Sequence, residues 1–242
     1  RMLAHRETAS SGEGLVLGVD LDRDFAAIGN QIAFVSEAAY MPPGLRVCDL
    51  MRMFSKIYQR WNEAEAERLA QGFHLNLHKR AGELSRGQLV QMSLVLNLAY
   101  SPSLILLDEV TAVLDARVRS FLMTDLSERV RLGATVLLAT NIVTEVQNIA
   151  NALILIGDKK IKVNATTEKI SSEFLKLKKR KNSDHPIFRR ESCIEVGLSS
   201  DGDPLYLVSR GDAALEILPT EILAIEPIMP VEVFIYLTRL RD

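Results

Sequence analysis

The 242 residues, 48% of them hydrophobic, suffice for one large buried core or for a core with an appendix. A net charge of −2 gives no global positive field of the kind that draws nucleic acid, which argues against DNA or RNA as a partner. Cys48 and Cys193 lie far apart, so neither a disulfide framework nor a zinc site is indicated, and no apolar run approaches the roughly 20 residues that span a bilayer.

Arg1 runs directly into the apolar, helical-looking Met2-Leu3-Ala4, which gives the expectation of a chain cut upstream. Strands are predicted at 14–19, 31–35, 104–107, 135–139 and 152–156. The last three are continuous apolar runs suited to central strands of a sheet covered on both faces. Helices are predicted at 87–99, 116–130 and 143–149, between strands, as crossovers of a parallel sheet require. The class is therefore α/β. From 49 to 83 the strand signals vanish, and Met, Leu, Phe and Ala recur among charged residues at helical spacing, so a helical insertion is expected there. The core then comprises 1–48 and 84–170. Near Ser171 the composition shifts to the basic run Lys176, Lys178, Lys179, Arg180, Lys181, followed by Asn182-Ser183-Asp184-His185-Pro186, and 171–192 reads as a linker. Short strands at 193–196, 205–208 and 216–217 and a closing helix at 231–241 make 193–242 a small α+β accessory region.

Three peptides carry the chemistry. Leu84-Ser85-Arg86-Gly87-Gln88 opens a helix, Leu104-Ile105-Leu106-Leu107-Asp108-Glu109 ends a strand, and Thr111-Ala112-Val113-Leu114-Asp115 follows at once. In this order they resemble the signature peptide, the Walker B strand and the D-loop of ATP-binding-cassette (ABC) ATPases. The resemblance implies a P-loop NTPase (RecA-like) parallel-sheet core with an ABC helical subdomain and a small C-terminal appendix. It also implies ATP and Mg²⁺ as ligands.

An acidic pair at the carboxyl end of a strand sits where open α/β sheets place their ligands. Asp108 would hold Mg²⁺ through its water shell, and Glu109 would orient or deprotonate the water that attacks the γ-phosphoryl group. The plainer reading of that pair is a solvent-facing strand end. Ser85, Arg86, Gly87 and Gln88 offer a hydroxyl, unpaired backbone N–H groups and the positive end of a helix dipole. Taken alone they are an N-capped helix. In the family the anion they meet is the γ-phosphate held by a second ABC ATPase subunit, so a head-to-tail homo- or heterodimer is implied, with Asp115 on the same seam. Arg86 stands where glycine is frequent. Glu37 replaces the Q-loop glutamine and could reach Mg²⁺ through water. Asn141 replaces the switch histidine and can hydrogen-bond a γ-phosphate without an imidazolium charge. Val110 replaces a proline after the catalytic glutamate.

No G-x-x-x-x-G-K-[ST] loop, whose amides and lysine cradle phosphates, occurs in the sequence. The resemblance implies that this loop, an adenine-stacking aromatic residue and two strands lie ahead of Arg1. Subunits of ABC-2-type exporters look similar at Glu37, at Trp61-Asn62-Glu63-Ala64-Glu65 and, more faintly, at Ile225-Glu226-Pro227. The function implied is an ATP-hydrolysing subunit that powers export of a drug, antibiotic or lipid-like compound through a separate transmembrane permease, peripheral on the cytoplasmic face of the cell membrane. The alternative is a degenerate subunit that lends its signature peptide to a competent ATPase without hydrolysing at its own site. A chromosome-maintenance or DNA-repair ATPase would need a long coiled coil where only the short stretch 38–83 lies.

Met41, Met51, Met53, Phe54 and Tyr58 would line the groove that receives a coupling helix of the permease, or else belong to the core. His74 and His78 are four apart, but Asn76 lies between them in a turn-like stretch and no third ligand is near, so a metal pair is not expected. The basic run is expected to be a solvated linker, with contact to anionic headgroups as the other reading.

Overall fold

The computed structural model describes residues 2–21, 24–142, 149–157, 159–179, 186–189, 193–209, 222–226, 228 and 232–233. They fall into two units, 1–141 and 142–242. Among the described residues no helix is long and apolar enough to cross a membrane.

In the first unit, the apolar runs Ile32–Ser36 (β3), Leu104–Asp108 (β4) and Thr135–Ala139 (β5) pair in parallel in the order β3-β4-β5. The register runs from Ile32, Leu104 and Thr135 to Ser36, Asp108 and Ala139. The α/β class is thus borne out. β4 is buried from Leu104 to Leu107, as expected of a central strand. β5 was expected to be central too, but among the described residues it is an edge strand, and Leu137 is 41% exposed. The strand predicted at 14–19 is a hairpin of Leu15–Val16 (β1) and Val19–Asp20 (β2), because Leu17 and Gly18 both take positive φ, 51° and 80°. Two consecutive left-handed residues reverse the chain.

The helical insertion is present as Val47–Ile57 (α1) and Glu63–Gly72 (α2). Both pack on Arg86–Leu98 (α3), and Ala116–Arg131 (α4) follows β4. Side chains start three of these helices: Asn62, Ser85 and Asp115 each accept the backbone N–H three residues on, which satisfies donors that a helix end leaves open. α3 is buried nearly all round, from Val90 to Leu96, since α1 and α2 cover one side and the sheet covers another. Leu50, Leu69, Phe73, Leu94, Leu96, Ile105, Leu107 and Leu122 make one continuous core across insertion and sheet. The insertion is therefore no separate hydrophobic body.

Two polar devices hold this core in register. Tyr100, just past α3, is buried, stacks on Tyr58 at 4.1 Å and donates its hydroxyl to the carbonyl of Ile32 at 2.9 Å. Burial, with Tyr58 alongside, pushes its ionisation well above the ordinary tyrosine range, so it stays a donor. The second device is a charge network. Glu65 of α2 takes two hydrogen bonds from Arg68, at 2.7 and 2.8 Å, and pairs with Arg129 of α4. Asp125 pairs with Arg68 and takes a 2.6 Å bond from Arg129, which also donates to the carbonyl of Leu98 at 3.1 Å. Asp125 and Arg129 are buried to 6% and 10% exposure, so neither charge is tolerable there without the other.

The second unit has its own small cores. Ala152–Gly157 (β6) pairs antiparallel with Lys160–Thr166 (β7), Thr167–Glu173 (α5) follows, and Phe174–Lys179 (β8), Cys193–Leu198 (β9), Pro204–Ser209 (β10) and Ile222–Glu226 (β11) form an antiparallel sheet in the order β11-β8-β10-β9. Two expectations are corrected here. The run at 152–156 is not a central parallel strand: its only partner among the described residues is β7, and Ile154 and Ile156 are exposed. A short apolar run cannot by itself reveal its pairing partner. The basic run is not a linker where it is described, since Lys176, Lys178 and Lys179 lie in β8. Lys176 is buried against Glu232 at 2.7 Å, Lys178 pairs with Asp201 and Asp203, and Lys179 lies over the rings of Phe188 and Tyr206. Almost all of the helix expected at 143–149, the strand at 216–217, residues 180–185 and 190–192 of the expected linker and most of the closing helix at 231–241 lie outside the described residues.

Replacing Tyr100 by Phe leaves the Ile32 carbonyl without its buried donor and should lower unfolding free energy by about 1 kcal/mol in urea titration. Acid should act through Glu65. Burial raises its pKa, but the hydrogen bond from Arg68 and the charges of Arg129 and Arg68 outweigh that and hold it below the usual carboxylate value. A carboxylate depressed in the folded state contributes stability that is present above its unfolded pKa of about 4.3 and lost as pH falls through the lower folded value. A Glu65→Gln protein should therefore be less stable than the parent at neutral pH. The difference should shrink below about pH 4, as read from thermal midpoints across a pH series.

Candidate functional site

The register of the parallel sheet decides where the chemistry lies. Ser36, Asp108 and Ala139 are the last residues of three adjacent strands and pair with one another, so the residues that follow leave from one edge. Glu37 leaves β3 with its amide donating to the carbonyl of Asp108 at 3.1 Å. Glu109 leaves β4 with its amide donating to the carbonyl of Ala139 at 3.0 Å, and Asn141 follows β5 by two residues. Glu37 and Asp108 are half-buried, whereas Glu109 and Asn141 are exposed. Glu109 has φ 54° and ψ 25°, a left-handed conformation unusual for a residue with a side chain, and such strain is commonest where a side chain has a task. A shallow cleft lined by Leu3, Phe34, Leu106, Leu107, Asp108, Leu137 and Ala139 opens on the apolar side of this edge.

The signature-like peptide meets the same region from the start of α3. Ser85 is the N-cap: its Oγ accepts from the amide of Gln88 at 3.3 Å, and the Gln88 side chain accepts from the Ser85 amide at 3.1 Å, a reciprocal capping box. Ser85 and Arg86 are exposed, and Gly87 and Gln88 are half-buried. Arg86 Nη2 lies 2.8 Å from Glu37 Oε2, which joins α3 to the loop after β3. Gly87 approaches the turn after Glu109 closely, for a Cβ there would stand 2.7 Å from the carbonyl oxygen of Val113. That turn is the 3-10 segment Val110–Val113, and Asp115 beyond it caps α4 by accepting from Val118 at 2.9 Å. All nine residues singled out from sequence thus belong to one unit and lie on segments connected by these contacts.

Three contributors were not anticipated. Thr111 is fully buried, and its hydroxyl lies 3.4 Å from that of Thr140, linking the D-loop-like turn to the end of β5. The carbonyl of Val113 sets the size limit at residue 87. Arg119 donates to the carbonyl of Leu114 at 2.9 Å and so closes the turn before Asp115. A buried threonine inside an acidic motif was a signal available in the sequence, whereas the two carbonyl contacts had none.

Chemically, the edge offers carboxylates able to hold a divalent cation through water and to accept a proton, and the α3 start offers a hydroxyl and N–H groups to an anion, beside a guanidinium that is paired with Glu37. Among the described residues no three such side chains converge as direct ligands of a metal ion, so a cation at this edge would be held through water. The lysine and glycine loop that would cradle a nucleotide's phosphates is not among these 242 residues.

Comparison with known proteins points the same way. Residues 1–112 match the family model described as ABC transporter. The chain is 25% identical over 152 residues to the probable multidrug ABC transporter ATP-binding protein YbhF of Escherichia coli K12, covering 61% of this chain and 26% of that protein. It is 25% identical over 224 residues to the daunorubicin/doxorubicin resistance ATP-binding protein DrrA of Streptomyces peucetius, covering 88% of this chain and 68% of DrrA. Its fold is that of the ATP-binding cassette MJ0796, solved as a dimer in a post-hydrolysis state with ADP and Pi. That likeness has a TM-score of 0.60 at 18% identity and covers 68% of this chain and 78% of that one.

An added methyl at residue 87 would meet main chain rather than a yielding side chain. Gly87→Ala should therefore destabilise the unit by about 1–3 kcal/mol in chemical denaturation.

Proposed function

We propose that this chain, whose residues 1–112 match the family model described as ABC transporter, forms part of an ATP-binding and hydrolysing subunit. The transporter it serves exports a drug, antibiotic or lipid-like compound through a separate transmembrane permease. The observation that carries this reading is the shared strand edge: Glu37, Glu109 and Asn141 leave the paired ends Ser36, Asp108 and Ala139, and α3 is joined to that edge through Arg86. The names of YbhF and DrrA, a probable multidrug transporter protein and a drug-resistance protein, support the exporter branch.

In this reading Asp108 and Glu37 hold Mg²⁺ through water, Glu109 orients or deprotonates the attacking water, and Asn141 hydrogen-bonds the γ-phosphate. Ser85, Arg86, Gly87 and Gln88 meet the nucleotide of a second subunit in a head-to-tail dimer, with Asp115 on that seam. A magnesium ion held at that strand edge would supply charge neutralisation for phosphoryl transfer. The subunit works on the cytoplasmic face of the membrane, docked to the permease. A surface for that docking has support in the insertion: Met53 and Ile57 of α1 and Tyr40 ahead of it are exposed, and Phe54, Tyr58 and Met41 are half-buried. Met51 lies in the core and drops out of that surface.

The test is ATP turnover by the full-length gene product with its partner subunits. Glu109→Gln should lower kcat by two orders of magnitude or more while leaving ATP binding intact, roughly the range by which a positioned general base contributes. Turnover unchanged by that substitution would remove Glu109 from the catalytic role. Turnover that persists only when a second, different ATPase subunit is supplied would favour the non-hydrolysing partner instead.

A further inference from the structure

The two charged residues at which the Q-loop and signature peptides depart from the family's common residues, Glu37 and Arg86, are in contact with each other. Their 2.8 Å ion pair joins an Arg86 side chain that is 65% exposed to a Glu37 side chain that is 35% exposed. Each charge is unfavourable by itself. The guanidinium stands in the first turn of α3, at the positive end of the helix dipole, where a cation is destabilising. The Glu37 carboxylate leaves the same strand edge as Asp108 and Glu109 and adds a third negative charge to it. Paired, the two charges offset each other. The main chain is anchored on both sides of the pair, by the Glu37 amide on the carbonyl of Asp108 and by the close approach of Gly87 to the carbonyl of Val113. A salt bridge between two anchored segments closes a ring of contacts: β3 loop, α3, the turn 110–113, β4 and back.

We infer that Arg86 is a positioning residue for Glu37: it holds that carboxylate at the start of α3, so the contribution of each departure depends on the other. This rests on the ATPase reading above. In that reading the loop after β3 serves this chain's own nucleotide and the start of α3 serves the second subunit's. The Arg86–Glu37 bridge then ties the two within one chain.

The experiment is a cycle on the full-length protein with its partner subunits, comparing the parent with Arg86→Met, Arg86→Lys, Glu37→Gln and the Arg86→Met/Glu37→Gln pair. Arg86→Met should lower kcat/KM for ATP by up to about fivefold, the scale of a well-placed exposed ion pair. Arg86→Lys should retain most of the activity. In the Glu37→Gln background, Arg86→Met should cost less than it does with Glu37 present, and the difference between the two losses is the coupling of the pair. Raising the salt concentration should narrow the gap between parent and Arg86→Met, because exposed pairs are screened. Thermal midpoints should stay together across the set, which separates positioning from folding. Equal losses on Arg86→Met in both backgrounds, or no loss with Glu37 present, would overturn the inference. If the parent itself shows no ATP turnover, the ATPase reading fails on its own account. The bridge is then read by amide hydrogen exchange at residues 36–41, which Arg86→Met should accelerate only while Glu37 is intact. Exchange that is indifferent to Arg86 would refute the bridge.

Discussion

Everything in the first unit hangs on the in-register parallel pairing of β3, β4 and β5. The pairing of Ser36 with Asp108 and of Asp108 with Ala139 brings three loops from distant parts of the sequence out of one edge. A slip of one residue in either pairing would turn the alternating side chains to the opposite faces and break the match between strand ends. The pairing is secured by apolar burial on β4 and at the other end by Tyr100, which fastens the first residue of β3 to the end of α3. The core that stabilises the sheet therefore also sets the position of the acidic edge.

Helix α3 extends that constraint to the insertion. Its middle is buried under α1, α2 and the sheet, so its first turn cannot move far without disturbing the common core. The charge network of Glu65, Arg68, Asp125 and Arg129 adds a second tie between α2 and α4, and Arg129 reaches the last residue of α3. The residues at the start of α3 and those at the start of α4 are thus held from one body of packing.

The sequence exposed the class, the helices α3 and α4 and the strands β3 to β5, because continuous apolar runs and capping residues are local signals. Ser85 with Gln88, and Asp115, announce helix starts through the same chemistry that fills those positions in the structure. What stayed hidden is pairing at a distance. Glu65 with Arg68 and Asp125 with Arg129 have helical spacing, but nothing local shows that the two pairs join across helices. The same limit explains β6, whose apolar residues suit a buried strand equally well as a hairpin partner of β7. It also explains β8, whose lysines resemble a solvated linker until Glu232, Asp201, Asp203 and two aromatic rings are in place. The αL backbone of Glu109 had no sequence signal either, since the residue is not glycine or asparagine.

In the proposed ATPase reading, a folding signal and a binding signal coincide at the start of α3. A helix beginning leaves backbone donors unpaired, and Ser85 answers one of them by accepting from Gln88. A hydroxyl that accepts in this way still has its proton to give, and it gives it at the positive end of the dipole, where an anion is stabilised. The cap therefore orients the very group that would meet a phosphate, and it does so before any ligand arrives. Glycine at residue 87 is imposed by the Val113 carbonyl on one side, so the close approach that a phosphate would also need is already present for reasons of packing. Arg86 is the residue in the peptide with no such structural reason. Its charge opposes the dipole, its side chain is largely exposed, and the carboxylate of Glu37 beside it offsets that charge.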